Sequence, residues 1–142
     1  MYENISDIEK YLRRIDYNIR IEGRLIINEL NITVPQFTAL QSLIHHGSMT
    51  IGQLSQHMAL ACSTITDLID RMEKTGLVIR KKDDKDKRVV IVEVLPKGFD
   101  ILESVLEKRR NYLSIQLDGF TKSELELFNK SLKKLYKSIT NE

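Results

Sequence analysis

The stretch that decides the fold is residues 63–98, STITDLIDRMEKTGLVIRKKDDKDKRVVIVEVLPKG. Its first part is an amphipathic helix that ends at Gly76, because glycine readily adopts the left-handed conformation that terminates helices. Residues 77–81 and 89–94 are short apolar segments typical of β-strands, and the charged loop 82–88 separates them. The stretch therefore predicts a helix followed directly by a β-hairpin. The inward residues of the helix are predicted to be Ile65, Leu68, Ile69 and Met72.

A shorter helix precedes this stretch, over residues 51–58. Thr50 and Gln53 stand at the spacing of a capping box, in which two side chains satisfy free amides of the first turn. A turn at residues 59–61 leads into the second helix, called the recognition helix below, which begins near residue 62. Two short helices joined by a tight turn, the second with a polar outer face, have helix-turn-helix form. The hairpin directly after them predicts a winged helix-turn-helix.

Long helices are predicted on both sides of the winged helix. Residues 5–30 carry an apolar stripe at alternating steps of three and four, which is the spacing of a helix–helix seam, and a helix at the C-terminus repeats it. Capping boxes start two of the helices: Thr33 with Gln36 before residues 34–46, and Thr121 with Glu124 before residues 122–140. Pro96 fits the first turn of another helix, which reaches about residue 117.

The terminal stripes suit a dimer built from both ends of the chain. The predicted interface residues are Ile5, Ile8, Leu12, Ile15, Leu125, Phe128, Leu132, Leu135 and Ile139. The predicted fold is mainly α with a small β-hairpin wing, a winged helix-turn-helix with N- and C-terminal dimerisation helices.

Composition and charge narrow the class of protein. The 142 residues carry a net charge of only +2, but residues 71–88 hold eight basic and four acidic side chains and so carry +4. A basic stretch beside a helix-turn-helix favours contact with a polyanion. A single cysteine excludes an internal disulfide framework. The longest apolar stretches are too short to cross a bilayer and the N-terminus has no signal-peptide pattern, so we expect a cytoplasmic protein.

No arrangement of catalytic residues stands out. There is no glycine-rich phosphate loop and no nucleophile elbow, and one cysteine and three histidines are too few for a typical catalytic metal. His45 and His46 are adjacent on a helix, so their side chains diverge by roughly 100° and chelate a metal poorly. We therefore expect no enzyme, no cofactor and no metal site.

Cys62 stands at the start of the recognition helix, where a helix N-terminus can lower the pKa of a thiol. A small buried residue that packs the turn is the favoured interpretation. An oxidation sensor is the alternative.

The stretch 63–98 resembles the multiple-antibiotic-resistance regulator (MarR) family of bacterial transcription factors. The resemblance is carried by the Ser-Thr-x-Thr opening, the Asp-Arg-Met-Glu-Lys-x-Gly-Leu-Val block, Asp86 with Arg88, and Gly98. It covers nearly the whole chain and implies one MarR-like domain over residues 1–142. Within it, the winged helix-turn-helix DNA-binding region spans about 33–96, and the dimerisation helices span about 1–32 and 97–142.

The family fold implies a homodimer whose terminal helices interleave and which presents two winged helices to double-stranded DNA. It also implies an effector pocket between the dimer helices and the winged helix, with these polar candidates: Tyr17, Arg20, Arg24 and His45. Two positions depart from the family pattern. Asp67 stands where many members carry a basic or neutral residue, and Leu95 replaces the threonine that usually caps the helix after the wing.

The candidate DNA-binding residues lie on the recognition helix and the wing. Hydroxyls near a helix N-terminus can bond phosphates or base edges, and lysines attract phosphate without regard to sequence. Arg71 can reach a guanine edge or a phosphate, whereas Asp67 or Asp70 must point at a cytosine amine or pair with a neighbouring arginine. In the family pattern the residue that matches Arg88 enters the minor groove. The full set is Ser63, Thr64, Thr66, Asp67, Arg71, Lys82, Lys85, Lys87 and Arg88.

The remaining charges of the wing are assigned to its own structure. Asp86 would be repelled by phosphate, so we expect it to pair with Arg88 or Arg80 and to stabilise the wing, together with Arg80. The alternative is a solvated loop whose charges serve solubility alone.

These features predict a sequence-specific, double-stranded DNA-binding transcriptional regulator. We expect a homodimeric repressor of a palindromic operator, released by a small ligand or chemical signal. Two alternatives stay open. A constitutive DNA-binding protein of the same fold would ignore every effector, and a winged-helix protein–protein interaction module would show no salt-dependent binding to duplex DNA.

Overall fold

The computed structural model describes residues 1–142, which form six helices and one two-stranded sheet. In chain order these are α1 (Tyr2–Glu29), α2 (Val34–His46), α3 (Ile51–Met58), α4 (Cys62–Lys74), β1 (Val78–Lys82), β2 (Val90–Val94), α5 (Pro96–Gln116) and α6 (Lys122–Thr140). The chain divides into two compact units, Met1–Glu107 and Lys108–Glu142. No helix combines the length and hydrophobicity that crossing a membrane requires. The predicted fold class, mainly α with a β-hairpin wing, is confirmed.

Threonine side chains begin three of the helices. The hydroxyls of Thr33 and Thr50 accept hydrogen bonds from the amide three residues on, at 3.2 and 3.1 Å, and the glutamine there returns the bond. α2 and α3 therefore start with the predicted capping boxes. At α6 the Thr121 hydroxyl accepts from the Glu124 amide at 3.1 Å, which is one of the two bonds of the box.

The wing is an antiparallel hairpin of β1 and β2, paired from Val78 opposite Val94 to Lys82 opposite Val90. Each strand begins one residue later than the sequence predicted. Leu77 belongs instead to the turn that follows α4, because its amide donates to the Met72 carbonyl at 2.9 Å across the left-handed Gly76.

The core of the first unit lies beneath the helix-turn-helix and the hairpin. Its fully buried large side chains include Leu40, Leu54, Ile65, Ile69, Met72, Leu77, Val78, Val92 and Val105. Removing one such side chain from water is worth about 1.5–3 kcal/mol. Met49 exchanges backbone hydrogen bonds with Val92, at 3.3 and 2.7 Å, so the segment before α3 is tied to the hairpin as well.

The junction between the hairpin and α5 explains the roles of Leu95 and Gly98, two residues of the stretch 63–98. Leu95, which lacks a capping hydroxyl, accepts with its carbonyl from the Gly98 and Phe99 amides at 2.8 and 3.3 Å. A Cβ on Gly98 would lie 2.6 Å from the Leu77 carbonyl oxygen and from Val94 Cγ1. Any other residue at position 98 would therefore push α5 away from the hairpin.

Candidate nucleic-acid interface

The outward face of α4 is the first part of the site. Its buried stripe consists of Ile65, Ile69 and Met72. At about 100° per residue, Asp67 lies opposite that stripe, and Ser63 and Arg71 lie one turn before and after it on the same face. All three are exposed. Three of the five residues predicted on the recognition helix are thus brought to one surface.

The start of α4 leaves polar groups uncommitted. Its N-cap, Ala61, offers no side-chain hydrogen bond, so the first-turn amides keep their capacity to bind an anion. Ser63 and Thr64 are exposed beside them. Thr66 is turned back along the helix, because its hydroxyl donates to the Cys62 carbonyl at 2.9 Å. Thr66 therefore retains only acceptor capacity towards a ligand.

A cluster around Arg80 joins α4 to the wing. The Arg80 backbone amide donates to Glu73 Oε2 at 2.8 Å, and its guanidinium donates to Asp70 Oδ1 and, at 3.4 Å, to the Thr66 carbonyl oxygen. Glu73 Oε1 lies 3.6 Å from Arg80 Nη1. Successive turns of the recognition helix are thereby held to one strand of the wing.

The position of Arg80 follows from the alternation of strand residues. Val78 and Arg80 share one face of β1, and Val78 is fully buried in the core beneath the helix-turn-helix. Because Arg80 shares this inward face of β1, its side chain is directed towards α4. Of the two partners proposed for Asp86, Arg80 is therefore the wrong one, because α4 carboxylates occupy its guanidinium.

The tip of the wing holds an ion pair between Asp86 and Arg88. Asp86 Oδ1 accepts from Arg88 Nε at 3.0 Å and from the Arg88 amide at 3.1 Å, and Oδ2 accepts from Nη2 at 3.1 Å. These hydrogen bonds lower the pKa of the Asp86 carboxyl and raise the pKa of the Arg88 guanidinium. The Arg88 side chain is nevertheless 90% exposed, so the pair orients the guanidinium without removing it from water.

The lysines of the wing divide into two groups. Lys81 Nζ lies 2.5 Å from Glu93 Oε2 on the neighbouring strand, and this hydrogen bond raises the pKa of Lys81. Lys82, Lys85 and Lys87 are exposed and make no ion pair. The second group is therefore available to phosphate.

Lys97 is a residue that sequence reasoning missed. Its Nζ donates to the Thr75 carbonyl oxygen at 2.7 Å, where α4 ends. A cation there satisfies a free carbonyl and interacts favourably with the helix dipole. A lysine 22 residues away from its partner leaves no signal in a local pattern.

The predicted interface residues of the terminal helices all lie on exposed surface in the single chain. Ile5 is 55% exposed on α1 and Ile139 is 71% exposed on α6. The complete set of exposed apolar positions at the predicted seam is Ile5, Ile8, Leu12, Ile15, Leu125, Phe128, Leu132, Leu135 and Ile139. Such apolar stripes are typical of contact surfaces, since monomeric proteins rarely expose large continuous apolar patches.

The four candidate effector residues are spread over two helices. The Tyr17 side chain points into solvent with 66% of its surface exposed. Arg20 Nε donates to Asp16 Oδ1 at 3.0 Å, which is a pair within α1. Arg24 lies on α1 and His45 on α2, where His45 contacts the ring of His46. All four are exposed in the single chain.

The three histidines lie together, although the spacing of His45 and His46 predicted divergent side chains. The rings of His46 and His57 are 4.4 Å apart between centroids, and those of His45 and His46 are 4.6 Å apart. Partial desolvation, followed by the nearness of His57 and then His45, lowers the pKa of His46. No group of three or more His, Cys, Asp or Glu side chains is arranged to hold a metal ion.

The favoured interpretation of Cys62 as a buried residue is wrong, because its side chain is exposed at the start of α4. The turn before Cys62 is stabilised by a hydrogen bond and by its backbone conformation instead. Ser55 Oγ donates to the Leu60 carbonyl at 2.5 Å, and Ala59 takes the left-handed conformation that ends α3.

Comparison with known proteins gives one consistent result. The model of the MarR family matches residues 32–90. The chain is 52% identical to the HTH-type transcriptional regulator YsmB of Bacillus subtilis over 133 residues, which cover 94% of this chain and 91% of the relative. It is 28% identical to the HTH-type transcriptional repressor MdtR of Bacillus subtilis, over 85% of this chain and 78% of the relative. The solved structure of a MarR family protein from Bacillus stearothermophilus superimposes with a TM-score of 0.85 at 44% identity, covering 99% of this chain and 98% of the other.

Proposed function

The chain belongs to the MarR family of transcriptional regulators, and on that premise we propose that it is a homodimeric repressor of a palindromic operator. Regulators of this family bind DNA through a winged-helix fold and act as dimers, and they are not enzymes. What is proposed for this chain is its sequence-specific site, its repressor role and its release by a small ligand or chemical signal.

The observation that carries the proposal is the coupling of α4 to the wing through Arg80. Because Arg80 binds Asp70 and Glu73, the recognition helix is tied directly to the hairpin. A recognition helix in the major groove and a wing beside it must reach the same duplex at a fixed separation. The exposed Arg71 and Arg88 are then presented together, one on each element.

Two kinds of contact are proposed for the recognition helix and the wing. Lys82, Lys85 and Lys87 neutralise phosphates, which gives affinity without sequence preference. Ser63, Thr64, Thr66, Asp67 and Arg71 face the major groove, where base edges are read, and Arg88 enters the minor groove. Asp86 supports the proposal indirectly, since its hydrogen bonds to Arg88 fix where that guanidinium points.

The exposed apolar stripes of α1 and α6 support a homodimer as the functional form. Burying the face of α1 that carries Leu12 and the face of α6 that carries Leu132, both 41% exposed, removes a large apolar surface from water. Two-fold symmetry of the dimer then requires an inverted repeat, with half-sites about one helical turn of DNA apart. One MarR-like domain would thus contain both the dimerisation helices and the winged helix, and it would act in the cytoplasm, where the bacterial chromosome lies.

A repressor role draws on the name of one relative, the repressor MdtR. Release by an effector requires a site that couples to the spacing of the two winged helices. The proposed pocket is formed on dimerisation around Tyr17, Arg20, Arg24 and His45, all of them exposed in the single chain.

The test is recovery of bound fragments from sheared genomic DNA of the source organism by the purified protein at physiological salt. The fragments should share an inverted repeat, and a reporter placed behind that site should be silenced by the protein. Screening small molecules and oxidants against the complex should then give one class that releases it. Fragments without a shared motif would contradict sequence-specific regulation, and a complex that no compound releases would indicate a constitutive DNA-binding protein.

A further inference from the structure

We propose that Asp67 reads the exocyclic amine of a cytosine in each half-site and thereby sets part of the base specificity. The inference rests on the proposed function, because it assigns a base to one residue of a sequence-specific dimer. A carboxylate at the surface that approaches DNA is repelled by phosphate, so its presence there needs a physical reason.

The three carboxylates of α4 have different surroundings. Asp70 and Glu73 both bind Arg80, which holds them on the flank of the helix that faces the wing. Asp67 makes no ion pair and no side-chain hydrogen bond, and it is exposed. Asp70 is therefore excluded as the groove-facing carboxylate, and Asp67 remains.

The placement of Asp67 is central on the outward face. The fully buried Ile65 and Ile69 flank it in sequence at two residues on either side, so at about 100° per residue both point nearly opposite to it. Arg71 follows one turn later on the same face and carries no ion pair either. Any duplex that accepts α4 in its major groove meets Asp67 near the middle of the contact.

The chemistry of a carboxylate limits what it can read. An ionised carboxylate only accepts hydrogen bonds, and the donors in the major groove are the N4 amine of cytosine and the N6 amine of adenine. Beside N6, adenine presents the acceptor N7, which would repel the second carboxylate oxygen. Guanine presents two acceptors, N7 and O6, and thymine presents O4 and a methyl group. Cytosine is therefore the base that fits best and guanine the base that fits worst.

Arg71 offsets part of the electrostatic repulsion between the Asp67 carboxylate and the DNA. A guanidinium one turn along the helix lowers the local negative potential, and it can bind a guanine edge or a phosphate nearby. The pair of side chains would then favour cytosine and guanine at neighbouring positions. The unpaired state of both side chains in the free protein leaves them available for this role.

The experiment selects binding sites from random double-stranded DNA with four proteins: the wild type, Asp67→Ala, Asp67→Asn and Asp84→Ala as a control. Asp84→Ala removes the same charge from an exposed position at the wing tip. The wild type should select an inverted repeat with cytosine at one symmetric position in each half. Its preference for cytosine over guanine there should be roughly 5- to 100-fold.

The variants should differ at that position alone. Asp67→Ala should lose the preference there and bind all other sequences somewhat more tightly, because one negative charge is gone. Asp67→Asn should shift the preference to adenine, since an amide can donate to N7 while it accepts from N6. Asp84→Ala should keep the wild-type motif.

The outcomes separate this inference from the proposed function. No motif with the wild type contradicts sequence-specific binding itself. A wild-type motif that Asp67→Ala reproduces at every position contradicts only the role of Asp67. An Asp67→Ala protein that melts like the wild type yet binds no DNA also contradicts it, because removing one base-reading side chain leaves every phosphate-binding group in place.

Discussion

Replacing Arg80 by methionine tests whether this residue positions the wing or touches DNA. The Arg80 side chain is 27% exposed and binds two carboxylates of α4 whose side chains are 47% and 39% exposed. A fully exposed pair contributes about 0–1 kcal/mol and a hydrogen bond to a charged group about 1.5–3 kcal/mol. Because both carboxylates can recover water, we expect Arg80→Met to lower the free energy of unfolding by only about 1–2 kcal/mol. The variant should therefore remain folded.

Operator binding should suffer more than stability. Without Arg80 the recognition helix and the wing lose their fixed separation. A position in which one element contacts DNA well then leaves the other element poorly placed for its own contacts. Affinity for the operator should fall by more than about tenfold, which corresponds to about 1.4 kcal/mol. Affinity for unrelated duplex should change little, because the exposed lysines of the wing remain.

The assay is a titration of fluorescent operator at several salt concentrations, with urea unfolding in parallel and Lys85→Ala as the matched control. For each phosphate that the protein no longer neutralises, the dependence of log affinity on log salt becomes shallower by about 0.9. Lys85→Ala should lower this slope by about one per half-site, whereas Arg80→Met should leave it unchanged. A lower slope with Arg80→Met would mean that Arg80 binds phosphate, and unchanged operator affinity would mean that the wing needs no such anchor.

Three further results are expected. Arg88→Ala should cost about 1–3 kcal/mol of operator binding without loss of folding or dimerisation. Equal affinity of wild type and variant at physiological salt would mean that the wing tip is a solvated loop that does not contact DNA. The double variant Leu12→Glu with Leu132→Glu should give monomers or aggregates that fail to bind the operator, and a dimer in sedimentation would contradict the assigned seam. Hydrogen bonds from Arg88 lower the pKa of the Asp86 carboxyl. The ionised carboxylate should therefore order the wing at any pH above the usual aspartate pKa range, and this effect should be lost only as the pH falls through the lowered pKa. Carboxyl NMR should therefore show Asp86 titrating at lower pH in the wild type than in Arg88→Ala, and equal midpoints would contradict the pair.

The helices were predictable because their signals are local. A threonine and a glutamine three residues apart define a helix start without any tertiary information, and α2 and α3 begin where Thr33 and Thr50 predict. The end of α4 was equally readable, since Gly76 takes a positive φ of 77°. The hairpin followed from apolar alternation and a charged loop. Only its strand boundaries were wrong, by one residue.

The residues that belong to the interface could be predicted from the sequence, but the pairs that they form with one another could not. The pattern indicated which residues of α4 face outward, but it left Asp67 and Asp70 equivalent. Only the approach of β1 to α4, which joins residues ten apart, shows that Arg80 takes Asp70. The exposure of Cys62 and the contact of the His57 ring with His46 depend likewise on how separate elements meet. No local pattern carries that information.

The central claim is that two copies of the chain bind one inverted repeat, each through a recognition helix and a wing. Sedimentation velocity of the protein with a duplex that carries the selected operator tests it directly, alongside a duplex in which one half-site is scrambled. We expect two chains per intact operator, and a loss of affinity of at least about a hundredfold when one half-site is scrambled, since specific half-site interactions are worth several kcal/mol. One chain per duplex, with undiminished affinity for the scrambled site, would contradict the account.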